Sequence, residues 1–425
     1  MSRVRIICAL ACCVTLFVAS RADAYSVLAH EANVDVVWES AIVPVLKQRF
    51  PAATADDLTA ARAYAYGGCV IQDLGYYPFG SHFFSDLLHY VRSGDFVTTL
   101  IADAQDVNEL AFALGALAHY AADSNGHPLA TNRVVPIEYP KLREKFGNRV
   151  TYAQSPKSHV LVEFSFDVVQ VASGVYASEA YHKFIGFEVA MPSLERAFRK
   201  TYGLEMKELF ADVDLAIGTY RHAVSSIIPE MTKVAWRDKR KEILKIAPNA
   251  REATFVFHLT TQQYVQEYGG RYAKPKWWAR FFGVLFKLLP KIGPFRPLAF
   301  KVPTAEAEQL FLDSFAETQR RYRASLTDVR ARQLTLPNRD LDTGYPTALG
   351  EYSLADKTYE KLVSALKDDK FAKLPPELAE NILAFFGQVD VLPGDTSRHH
   401  KRTAHLRRDL EMMAAASSSD SKVAN

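Results

Sequence analysis

The stretch 107–127, VNELAFALGALAHYAADSNGH, limits the folds open to this chain more than any other. Leu110, Phe112, Leu114 and Leu117 stand among alanines, which favour helix and let neighbouring elements pack close. Asp106, just before the run, is placed to cap it. Yet this apolar helix carries His119 and Asp123, and a spacing of four puts both on one face, one turn apart. Such a pair can chelate one ion or two neighbouring ones.

The rest of the chain fits an all-α fold. MPSLERAFRKTY (191–202) and MKELFADVDLAIGTYRHAVSSII (206–228) repeat apolar residues at three- and four-residue spacing, as amphipathic helices do. Segments 75–86 (GYYPFGSHFFSD) and 125–140 (NGHPLATNRVVPIEYP) carry Gly, Pro and Asn and read as loops, with Asn125-Gly126 ending the helix before them. Alternating strand patterns are scarce. We expect a multi-helix domain over 25–265, a smaller helical C-terminal region over 266–390, and a disordered tail over 391–425, where AAASSSDSKVAN is of low complexity.

Residues 1–24 have the layout of an export signal. Arg3 and Arg5 are followed by an apolar run from Ile6 to Ala19, and Ala22-Asp23-Ala24 is a small-x-small cleavage site. Cutting after Ala22 is the rival. Processing after Ala24 would make Tyr25 the first residue and place the protein in the periplasm or outside the cell. It would remove three arginines and one aspartate, taking the formal net charge from +3 to about +1, which argues against nucleic-acid binding driven by net charge. It would also leave Cys69 as the single cysteine, so no internal disulfide holds the mature chain together.

Histidines and carboxylates then follow in an ordered series. His30 comes five residues after Tyr25, Asp73 lies in IQDLGYY and His89 in DLLHYV. HYAADSNGH supplies His119, Asp123 and His127, and HVLVE supplies His159 and Glu163. Acids make up 48 of 425 residues, so with twelve histidines about one His-x3-acid pair is expected by chance. A single pair is a salt-bridged helix face as readily as a site, and His119 alone reads as well as a satisfied core histidine. The whole series is another matter: imidazole and carboxylate without thiolate suit zinc with open positions, the donor set of a catalytic site.

That series resembles the zinc-dependent phospholipase C family, which shares a superfamily with the secreted single-strand zinc nucleases. The pattern there is a mature N-terminal residue, an early His, an Asp, a His, His-x3-Asp, a further His, and His-x3-Glu or His-x3-Asp. Every element is present in order from Tyr25 to Glu163. The resemblance implies an all-α fold and up to three zinc ions. One would be held by Asp73, His89, His119 and Asp123, and a second by His127, His159 and Glu163. A third would take the amine and carbonyl of Tyr25, with His30 and a bridging Asp123. It further implies a phospholipid substrate, cleaved to diacylglycerol and a phosphorylated headgroup, with Asp73 and Asp123 as catalytic residues. This chain departs from the family at three points. Tyr replaces the usual first Trp, three residues instead of five separate Asp123 from His127, and Leu74 follows Asp73 where choline-preferring members carry an aromatic. His82 is the alternative to His89.

Segment 274–301 holds seven Lys/Arg, no acid and several aromatics, a composition that suits peripheral contact with a lipid headgroup layer. A core helix with snorkelling lysines fits it equally. A nuclease or nucleotidase on the same metal core is the first alternative function. A non-catalytic helical envelope protein stabilised by zinc is the second. Nine apparent ligands exceed what one closed structural zinc site needs.

Overall fold

A computed structural model of the chain describes residues 27–174, 186–251, 299–387 and 397–423. Residues 1–24, Tyr25 and all but the last three residues of segment 274–301 lie outside them. Every regular element among the described residues is helical, and the fold is all-α. No described helix is long and apolar enough to cross a membrane.

The centre is α6 (Val107–Gly126), in which every residue from Glu109 to Gly126 is buried. Asp106 caps it by accepting from the Glu109 N–H at 2.8 Å. Around it stand α1 (Val27–Val37), α3 (Ala55–Val70), α5 (Ser93–Asp103) and α14 (Ala305–Ala331). The α3–α6 pair is the most extensive contact among the described residues. It is close because it has glycine on both sides. A Cβ at Gly115 would stand 2.0 Å from the Ala65 carbonyl oxygen, and one at Gly68 would stand 1.8 Å from that of Phe112. Core side chains such as Phe112 and Leu114, fully buried here, contribute about 1.5–3 kcal/mol each by leaving water.

The remaining helices extend this core. A 3₁₀ turn (Ile71–Tyr76) leads from α3 to α4 (His82–Tyr90), and α2 (Val43–Arg49) continues α1 past a π-helical turn. After α6 come a π-helical turn (His127–Thr131), α7 (Asn132–Glu138), α8 (Pro140–Phe146) and α9 (Pro156–Ser173). Next are α10 (Met191–Tyr202), α11 (Met206–Leu209), α12 (Val213–His222) and α13 (Ile228–Ile246). The C-terminal part adds α15 (Ser353–Asp368), α16 (Pro376–Phe386) and α17 (Ser397–Val423).

Three expectations change. The chain does not leave helix at Asn125-Gly126, and of the two segments expected as loops 125–140 is helical through the π turn and α7, while 82–86 belongs to α4. The Asn125 side-chain amide donates to the Ala121 carbonyl at 2.6 Å, and the backbone passes into the π turn with the His127 N–H bonded to the Asp123 carbonyl. A buried backbone keeps its hydrogen bonds wherever side chains allow. Secondly, the boundary expected near 265 lies outside the described residues, and the elements on either side of it share one hydrophobic core running from Val27 to Met413. Phe300, at the end of the aromatic and basic segment, is buried edge-on against Phe164. Thirdly, the tail expected to be disordered holds α17. This helix buries Leu406 and Met413, packs on α15 and α16, and pairs Asp409 with Lys367 at 2.7 Å. Two apolar anchors seven residues apart, on one helix face, precede the low-complexity run and hold this helix.

Candidate metal centre

Five of the series residues meet between α1, the 3₁₀ turn, α4 and α6. Asp123, fully buried, presents Oδ1 to His30 Nε2 at 3.4 Å, and Oδ2 to His119 Nε2 at 3.1 Å and His89 Nε2 at 3.4 Å. Asp73 Oδ1 lies 3.5 Å from His89 Nε2 and 4.0 Å from His119 Nε2, while its Oδ2 lies 4.0 Å from His30 Nε2. The His30 and His119 rings stack with centroids 4.3 Å apart. His82 stands at the other end of α4 from His89, and it belongs to none of the grouped ligand atoms described below.

The far ring nitrogens are tied down. His89 Nδ1 bonds the Ser85 carbonyl at 2.8 Å, and His119 Nδ1 bonds the Cys69 carbonyl at 2.9 Å near the end of α3. A neutral imidazole that donates through Nδ1 aims a lone pair from Nε2. Lone pairs facing carboxylates across 3.1–3.5 Å repel unless a cation lies between them. Two ligands of one tetrahedral zinc, each about 2.0–2.2 Å from it, stand roughly 3.3 Å apart. The spacing here is of that size.

A second cluster lies one turn further along. His127, in the π turn, directs Nε2 to within 3.9 Å of Asp123 Oδ2, so His119, Asp123 and His127 share one face of a continuous helix. His159 opens α9, bonding the Val150 carbonyl at 2.6 Å through Nε2 and placing Nδ1 3.5 Å from Glu163 Oε1. Both Glu163 oxygens, His159 Nδ1 and His127 Nε2 are buried with no hydrogen-bond partner. Buried polar atoms rarely stay unpaired, which makes this set fit a bound cation. Ligand atoms lie within 4.8 Å of one another in three groups: His30, His119 and Asp123; Asp73, His89 and His119; and His127, His159 and Asp342. Tyr25 lies outside the described residues.

Electrostatics divide the donors: at His119 burial lowers the pKa, but Asp123 and Asp73 more than offset it and raise the imidazole, while four others are held in the ligating state. Burial and the neighbouring His119 push His30 down to about 4 against the pull of Asp123 and Asp73. Burial lowers His159 too. Burial raises Asp123 and Asp73, but the surrounding imidazoles, His119 foremost, more than offset it and hold both carboxyls below their usual range. Glu163, without so many imidazoles, is pushed well up by burial. A positive ion is what such a carboxylate lacks.

Asp342 escaped the sequence reading. It is buried, and its Oδ1 is in hydrogen-bond contact with His127 Nδ1, although 215 residues separate the two. Spacing cannot reveal a partner at that distance. The only local sign is the turn-forming DLDTG, whose acids read as surface loop.

Residues 38–212 match the model of the family described as zinc dependent phospholipase C. Comparisons with curated proteins and with solved structures return no match. The matched segment spans Asp73, His89, His119, Asp123, His127, His159 and Glu163, while His30 precedes it and Asp342 follows it. Over residues 38–212 the chain is thus similar to the zinc-dependent phospholipase C family, and the all-α fold and the buried clusters agree with that match.

Proposed function

We propose that the chain is an exported zinc-dependent phosphodiesterase of phospholipase C type, hydrolysing a phospholipid to diacylglycerol and a phosphorylated headgroup. The observation that carries this is the convergence of His30, His89 and His119 on Asp123 at ligand spacing, with Asp73 facing the same imidazoles, within a buried centre. The second cluster would supply a further zinc position through His127, His159 and Glu163. The amine of a processed Tyr25, with His30, would supply a third.

These residues would hold zinc, which would supply neutralisation of phosphoryl oxygens and a water of lowered pKa. The chain's own residues set the stage for that. Asp123 would hold two ion positions, because its two oxygens face different imidazoles. Asp73, kept ionised by His119, His89 and His30, orients the attacking water and accepts its proton. Burial of the donors excludes bulk water and strengthens each of these interactions. A phospholipid as substrate follows from the family and agrees with the modest net charge, which offers no electrostatic pull on a polynucleotide.

One assay panel tests this. Processed protein is offered a chromogenic phosphorylcholine ester, mixed phospholipid vesicles and single-stranded DNA, each with and without chelator. Phosphodiester hydrolysis of the lipid that stops with chelator is expected. Chelator-resistant turnover, cleavage of DNA alone, or no activity on any substrate would overturn the reading.

A further inference from the structure

The region beyond the family match reaches back into the metal centre. A strap from Leu336 to Tyr352 crosses the C-terminal end of α4, the start of α5 and the end of α6. Its Leu341 N–H donates to the carbonyl of His89 at 3.1 Å, the Ser93 hydroxyl donates to the Arg339 carbonyl at 2.6 Å, and the Tyr120 hydroxyl donates to the Pro337 carbonyl at 2.6 Å. At Gly344, with φ of +74°, a Cβ would come within 2.7 Å of the Ser124 carbonyl oxygen, so the strap lies directly on the helix that carries Asp123. Between these anchors Asp340 Oδ1 accepts the N–H groups of Asp342 at 2.8 Å and Thr343 at 3.0 Å, which fixes a tight turn and turns the Asp342 carboxylate inward.

The Asp342 carboxylate is fully engaged. Oδ1 accepts from His127 Nδ1, and Oδ2 accepts from the Tyr352 hydroxyl and from the Tyr152 N–H, the last at 3.0 Å. Asn132 holds the backbone beside it by donating to the Asp342 carbonyl at 2.7 Å. Both Asp342 oxygens accept from protein donors, His127 Nδ1 among them. Asp342 is therefore bonded to the imidazole itself and does not share an ion with it. His127 Nδ1 must carry the proton, so its lone pair sits on Nε2, the nitrogen facing Asp123. His89, His119 and His159 are each oriented by a backbone carbonyl instead. Of the four, His127 alone is set by a carboxylate, the partner that most raises imidazole basicity.

We infer that Asp342 is a positioning residue of the metal centre, fixing the tautomer and orientation of His127, and that the strap carrying it makes the C-terminal region part of that centre. This rests on the zinc reading above, and the test separates the two. The full-length processed chain, its Asp342→Asn variant and its Tyr352→Phe variant are stripped of metal and titrated with zinc against a chromogenic chelator. The imidazole N–H protons of the zinc-loaded forms are followed by NMR, and thermal melting reports folding. Asp342→Asn should bind as many zinc ions as the parent, one of them about 10–100-fold more weakly, and should shift one downfield imidazole N–H while the others stay. Tyr352→Phe, which keeps the ring and loses one donor to Asp342, should move the same zinc affinity in the same direction by less. Unchanged affinity in both variants overturns the inference. Complete loss of one zinc from a folded Asp342→Asn also overturns it, by making Asp342 a direct ligand. A parent chain that binds no zinc overturns the zinc reading itself, an outcome visible before any variant is compared.

Discussion

Asp123 offers one oxygen to His30 and the other to His89 and His119, so a single side chain joins donors from three helices. Replacing it with asparagine keeps the shape but halves the number of oxygens and removes the charge. We predict that Asp123→Asn loses more than one bound zinc and at least about 100-fold in kcat, the scale on which single catalytic groups act. Metal analysis of the purified variant checks this, and a full zinc content would rule out the bridging role. At this scale the sequence is legible where partners are one helical turn apart. His119 with Asp123, and His159 with Glu163, were readable because a spacing of four has only one geometric consequence in a helix. Asp342 was not, because its partner lies in a distant segment and the local sequence around it reads only as a turn. The carbonyls of Cys69, Ser85 and Val150 were equally hidden, since any residue type supplies a carbonyl.

The crossing of α3 and α6 sets how close the centre can be. Gly68 and Gly115 remove the side chains that would hold the two helices apart, and the approach lets His119 reach the Cys69 carbonyl across the interface. In Gly115→Ala the new methyl group meets backbone at 2.0 Å, which no rotamer change relieves. We predict a stability loss of about 1–3 kcal/mol in urea unfolding, with weaker zinc binding because the His119–Cys69 contact is stretched. Unchanged zinc affinity would show that the two effects are separable. The alanines of 107–127 announced this close packing in the sequence, and Asp106 announced where the helix starts. Its far end was misread because Asn-Gly usually breaks helices when water can satisfy the freed backbone. Here the backbone is buried, and the Asn125 side chain bonds within the helix instead. The helix at 397–423 was missed for a related reason: composition reports average polarity, whereas Leu406 and Met413 hold that helix by position.

As a whole the molecule builds its candidate metal centre from three parts of the chain. His30 comes from before the matched region, most candidate donors come from within it, and Asp342, which orients His127, comes from after it. All three parts share one apolar core, so neither the first helix nor the C-terminal strap is an appendage. The all-α class was legible because helical periodicity repeats along the chain. The wrapping was not, because long-range packing leaves no local period. The central claim is that this arrangement exists to hold several ions at once. Its most direct test is calorimetric titration of the metal-stripped, processed chain with zinc. More than one zinc should bind tightly per chain, with protein stability rising as each site fills. A single equivalent, or none, would contradict it.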